Sequence, residues 1–241
     1  MPATITRKSD VRLLLAQCLN AYESAGLNAC VQEVDLLLLS RKVKFPLLEF
    51  CGRSLYTHLP DEEQIPFCDA IQKLKTEGGN VLLGIILQER LTDHFQECIT
   101  KTSAYIAAAD IWYVCDIIGE RVWGVSLLQT PEKTIPIIER LMKHPSQWVL
   151  RSLGAGIHYA IKKGLEKEYV SQLFPLLISA ANTQNKEIRQ GVGWAAKTTA
   201  KFHPAIIEFH ESAIQDKTAV ANWFRAKINI GLQRNSYGER N

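Results

Sequence analysis

The chain has 241 residues, of which 46% are hydrophobic and 22% charged, so it holds enough apolar material for a large buried core. No run approaches the ~18 consecutive apolar residues that cross a bilayer, and the opening MPATITRKSD contains no apolar segment of signal-peptide type. A soluble cytoplasmic protein without membrane contact is therefore expected. The net charge of +3 is unevenly spread: residues 1–141 carry 14 Lys and Arg against 18 Asp and Glu, net −4, and residues 142–241 carry 14 against 7, net +7. The basic half suits phosphate binding or an ordinary set of solvated helices.

Apolar residues recur at spacings of three and four almost throughout, with short Gly, Pro or Asn breaks, and no pair of strands is evident. Asp10 precedes a helical pattern to about Ser24, closed by Gly26, and Asn28 precedes a second through Leu39. Pro46 falls in the first turn of a third helix, and Pro60-Asp61-Glu62-Glu63 places proline and carboxylates in the first turn of a fourth, which ends near Gly78-Gly79-Asn80. VLLGIILQERL follows, then a segment from Asp93, then YIAAADIWYVCDIIGERVWG, read as one helix from Tyr105 to Gly124.

Thr130 is the predicted N-cap of a helix with Pro131 at its first position, running to Lys143. His144-Pro145-Ser146 breaks the chain, and Ser146 caps the next helix to Gly164. Further helices are predicted over 167–181, over Lys186–Lys201 capped by Asn185, from His203-Pro204 onward, and over 218–232. Residues 233–241 read as a polar tail.

The late helices repeat. Trp148-Val149-Leu150-Arg151, Glu187-Ile188-Arg189 and Trp223-Phe224-Arg225 each set an arginine early in the second helix of a pair, at separations of 38 and 36 residues. That period fits one helix pair per unit, as in a HEAT-type solenoid, or else an irregular helical domain. The predicted fold class is all-α, an α-α superhelix of HEAT-like repeats with a concave binding face. Its parts are an N-terminal helical part (1–80), the repeats (81–232) and the tail (233–241).

Within Tyr105–Gly124, Ile111, Cys115, Ile118 and Val122 form a core stripe, while Trp112, Asp116, Gly119 and Trp123 share a second stripe about 100° away. Trp112 and Asp116, four residues apart, lie one above the other. A carboxylate beside an indole suits the holding of a cation. The six cysteines all lie in the first half, with no CxxC and no histidine at ligand spacing, and read as reduced, buried small side chains. No phosphate loop or nucleophile elbow occurs, and His158 lies among apolar and small residues as a hydrogen-bonded helix residue.

Three segments, IWYVCDIIGERVWG (111–124), HPSQWVLRSLGAGIHYAIKKG (144–164) and EIRQGVGWAAKTTAKFHP (187–204), resemble the HEAT-like-repeat DNA alkylation-repair glycosylases, the likeness covering roughly residues 80–232. The resemblance implies a cleft in which Trp112 and Trp194 flank the sugar of a damaged nucleotide and Asp116 lies near its anomeric carbon. The implied partner is alkylated double-stranded DNA; separately, a monomer suits a solenoid with both ends capped. Where the family leads one to expect adjacent arginines, this chain has Arg151-Ser152.

Alkylation at N3 or N7 makes a purine cationic and a ready leaving group, so the reaction calls for an anion beside an oxocarbenium-like sugar and for no metal or other cofactor. Asp116 is the candidate catalytic carboxylate, with Trp112 and Trp194 offering π faces to cationic sugar and base. Other readings stand beside these: Asp116 paired with Arg121 or Arg151, and the tryptophans as packing between units. Trp123 reads as packing. Arg151, Arg189 and Arg225 are candidate phosphate contacts or, equally, ion-pair partners between neighbouring helices. A non-catalytic scaffold that binds DNA or a protein is the alternative function.

Overall fold

The computed structural model describes residues 4–238 and is all-α; the one β feature among them is an isolated parallel bridge between Ile5 and Val43. The chain divides into two compact units, Met1–Lys101 and Thr102–Asn241.

The first unit runs through α1 (Lys8–Ala25), α2 (Leu27–Val34), a π-helical turn (Asp35–Leu39), α3 (Phe45–His58), α4 (Asp61–Lys73) and α5 (Glu77–Arg90). Gly26 ends α1 at φ +79°, a conformation open to glycine, and returns its N–H to the Tyr22 carbonyl. Helix α5 is buried on nearly every side from Gly79 to Leu87, as its continuous apolar run requires. Thr76 caps it by accepting from the Gly79 N–H at 3.1 Å. At its far end the buried Arg90 donates to Asp61, Gln64 and Glu97 at 2.6–3.0 Å.

The division between units falls inside α6 (Phe95–Ala109). The second unit continues with α7 (Trp112–Arg121), α8 (Trp123–Gln129), α9 (Pro131–Leu141), α10 (Gln147–Lys162), α11 (Lys167–Ser179), α12 (Lys186–Phe202), α13 (Pro204–Phe209), α14 (Glu211–Gln215) and α15 (Asn222–Gly238). Helices α7, α10, α12 and α15 form one row, each packed on the next, while α9 and α11 pack together in a second row, with α8 beside α9. This is the helix-pair repeat expected from the sequence.

Glycines let the first row pack backbone to backbone. A Cβ at Gly119 would lie 2.6 Å from the Ser152 carbonyl oxygen, one at Gly154 2.2 Å from the Gly191 carbonyl carbon, and one at Gly191 2.2 Å from the Arg151 carbonyl oxygen. The same edge of successive units is also stitched by side chains. Trp148 donates from its indole to Asp110, Asn185 donates to Gln147 at 2.6 Å, and Trp223 donates from its indole to the Thr183 carbonyl at 3.2 Å.

Several local expectations are corrected. Tyr105–Gly124 is not one helix. Asp110 adopts φ +52°, a left-handed conformation its short polar side chain tolerates, and Ile111 is extended, so α7 starts afresh at Trp112. A second break at Val122 separates α7 from α8. Asn185 caps α12 as predicted, accepting from the Glu187 and Ile188 N–H groups. Thr130 and Ser146 occupy N-cap positions without side-chain caps, and the Thr130 hydroxyl donates back to the Ser126 carbonyl instead. The last helix begins at Asn222 and continues to Gly238, through most of the expected tail; 239–241 lie outside the described residues.

Candidate functional site

The glycine contacts determine which side chains meet. Gly119 of α7 sits against Ser152 of α10, which brings Asp116, one turn earlier, opposite Arg151. Gly191 of α12 sits against the Arg151 backbone, which brings Glu187, one turn earlier, to the other side of the same guanidinium. Asp116 accepts from Arg151 Nε at 2.9 Å through Oδ1 and from Nη2 at 2.5 Å through Oδ2. Glu187 accepts from Nη1. Every guanidinium nitrogen is thus engaged by a carboxylate in planar, charge-assisted geometry.

The group is sheltered but not sealed. Arg151 is 7% exposed, and the side chains of Asp116 and Glu187 are 15% and 21% exposed. Burial works against the guanidinium charge, but the hydrogen bonds and charge of Asp116, with Glu187 beyond, hold Arg151 protonated above the ordinary arginine range. Burial, with the neighbouring Asp116, pushes the Cys115 thiol up, and that thiol donates to the Trp112 carbonyl. Cys115 is therefore a neutral, buried side chain under the site. Burial raises the other five cysteines as well.

Two indoles complete the cluster. The Arg151 guanidinium lies 5.8 Å from the Trp112 ring centroid and 5.4 Å from that of Trp194, so the cation sits between tryptophans from α7 and α12. Trp112, at the first position of α7, is 55% exposed, whereas Trp194 is half-buried. Trp123 is fully buried, and its indole donates to the Ser152 hydroxyl at 3.0 Å. That hydroxyl donates in turn to the Val149 carbonyl, so a second arginine after Arg151 would have to enter a filled interior.

The arginines at repeating positions do not share the same neighbours. Arg151 is paired with Asp116 and Glu187. Arg189 lies over the Trp223 ring at 5.5 Å, and Arg225 donates to the Val220 carbonyl at 2.6 Å. Equivalent places in successive helices meet different neighbours. Glu187 was not singled out from the sequence; its only sign was its place 36 residues after Arg151, one unit on.

Residues 46–221 match the family described as DNA alkylation repair enzyme. The chain belongs to that family. The match begins well before residue 80 and covers Trp112, Asp116, Arg151, Glu187 and Trp194, while Arg225 lies beyond its end. Searches of curated proteins and of solved structures gave no match. Among the described residues, no helix of this DNA alkylation repair enzyme family member is long and apolar enough to cross a membrane.

Proposed function

We propose that the protein hydrolyses the N-glycosidic bond of cationic alkylated purines, of the 3-methyladenine and 7-methylguanine type, in duplex DNA. The observation that carries this reading is the convergence of Trp112, Asp116 and Trp194 on one sheltered cluster, inside the span matched to the repair family. Two carboxylates and one guanidinium leave that cluster with one negative charge. A bidentate arginine uses two of the roughly four lone-pair positions of a carboxylate, so Asp116 keeps acceptor capacity for a developing oxocarbenium ion or an attacking water. The indoles favour cationic sugar and base through their π faces. The leaving base carries its own positive charge, so the bond breaks without strong acid catalysis.

Arg151 in this reading positions Asp116, and phosphate contact falls to other cations. The two-point pairing also favours a second reading, a scaffold in which the Asp116–Arg151 pair only joins repeat units. Incubation with methylated duplex DNA separates them. Free 3-methyladenine or 7-methylguanine, absent with Asp116→Asn, supports the glycosylase; undiminished DNA binding with no base release by the wild-type chain supports the scaffold.

A further inference from the structure

The arginines near the starts of α10, α12 and α15 are engaged, but the same helices carry a second set of cations toward their other ends. Lys162, Lys197, Lys201 and Arg234 line an open cavity of about 230 Å³, together with His158, Thr198 and Phe202, and among the described residues no carboxylate lines it. Among the described residues, no acidic side chain pairs with Lys162, Lys197 or Arg234. The fold itself explains part of this. Lys162 and Lys201 occupy the last turns of α10 and α12, where helix carbonyls favour a cation. Lys197 lies well inside α12, and Arg234 precedes the last turn of α15.

Burial and the clustered charge act together here. Burial, with Arg234, Lys227 and Lys162 nearby, pushes the Lys197 ammonium below its ordinary range. Burial, with Lys162 and Lys197, holds His158 at about 4, and so neutral. The Thr198 hydroxyl donates to the Trp194 carbonyl at 2.8 Å, so it accepts from His158 Nδ1–H across 2.6 Å. His158 Nε2 is then left as an unprotonated acceptor among cations, and an entering anion would favour its protonation. The cavity adjoins the Asp116 cluster through Trp194, whose ring centroid lies 6.3 Å from that of His158.

The geometry points to a phosphoryl-anion site in which Lys162, Lys197 and Arg234, with Lys201 at the rim, take the oxygens of a phosphate group. The group is a backbone phosphodiester if the ligand is a duplex, or a phosphate monoester or inorganic phosphate if it is small. The site stands independently of glycosidic cleavage; only its assignment to a DNA strand rests on the function proposed above.

The test compares the full-length wild type with Lys197→Gln and with Lys162→Gln/Lys197→Gln/Arg234→Gln. The probes are fluorescein-labelled undamaged duplex, the same duplex with a 5′-phosphate, and inorganic phosphate. For a backbone site, the triple variant binds both duplexes at least about tenfold more weakly at low salt, and its log–log salt slope falls by about 0.9 for each phosphate that is no longer neutralised. For a monoester site, only the 5′-phosphorylated duplex and inorganic phosphate bind more weakly. In the wild type, saturating phosphate shifts the His158 ring resonances toward the protonated form, a readout that holds even if the triple variant fails to fold. Unchanged binding of all three probes by a folded triple variant, or a His158 signal indifferent to phosphate, overturns the site. Base release is not measured, so an inactive Asp116 leaves the result intact.

Discussion

Asp116 and Arg151 meet as a two-point pair, Oδ1 to Nε at 2.9 Å and Oδ2 to Nη2 at 2.5 Å, across the contact between α7 and α10. The pair fixes the plane of the carboxylate against a rigid fork. On the glycosylase reading proposed above, that pairing supplies the preorganisation a transition-state stabiliser requires.

Asp116→Asn keeps the shape and removes the charge. Release of 3-methyladenine from alkylated duplex should fall by about 10²–10³-fold, the usual scale for removing one preorganised electrostatic interaction. Affinity for undamaged duplex should hardly change. Chromatography of freed bases alongside anisotropy measures both, and unaltered release would remove Asp116 from the chemistry.

Arg151→Ala leaves Asp116 and Glu187 with no cation between them. Breaking one side of a buried pair costs about 3–5 kcal/mol, so a large drop in denaturant midpoint is expected at pH 7. Chemical denaturation at pH 7 checks this, and an unchanged midpoint would contradict it.

Gly191→Ala and Gly193→Ala should differ in sign, although both sit in α12. A Cβ at Gly191 would lie 2.2 Å from the Arg151 carbonyl oxygen, and a rigid helix must shift to admit it. A destabilisation of at least about 1–3 kcal/mol is expected, with impaired base release because Arg151 moves. At Gly193 the nearest atoms belong to the flexible Lys227 side chain at 3.2 Å or more, so the gain in helix propensity, up to about 1 kcal/mol, should survive. Thermal unfolding of the two variants decides the matter.

His158 supplies a pH signature. Its pKa is held at about 4 against an ordinary 6.5, so the unfolded chain binds a proton there that the folded chain refuses. The stability this represents is complete above pH 6.5 and is lost as pH falls toward 4, amounting to at most about 3 kcal/mol. His203, also held low by burial, works in the same direction. His158→Gln should therefore flatten only part of the acid limb of a stability–pH profile, and an unchanged limb would refute the assignment.

Much of the second unit was legible in the sequence because its signals are local. Apolar spacing and the Gly, Pro and Asn breaks marked the helix pairs, and Asn185 was readable as a cap because its partners are the next few N–H groups. Trp112 and Asp116 were readable as neighbours for the same reason, being one turn apart. The break at Asp110 was not, since it depends on a positive φ that nothing in AAAD announces and on an indole 38 residues away. The three arginines show the limit most clearly. Repetition put them at equivalent places on successive helices, but what each faces is decided by the next helix: Glu187 for Arg151, Trp223 for Arg189. Glu187 was hidden because its partnership follows from the backbone contact between Gly191 and Arg151, and a spacing pattern does not encode a crossing point.

The Asp116–Arg151–Glu187 group draws one member from each of three consecutive helices of the row, α7, α10 and α12. No single helix pair contains it. In a repeat protein, where stability is a sum over units and their nearest-neighbour interfaces, such a group exists only in chains with both interfaces closed. Its presence therefore reports the joint docking of three layers, and opening at either interface would dismantle the proposed site while most of the helices stay folded. Protection of α7 and α12 amides from hydrogen exchange should then rise and fall together with the capacity to release a base.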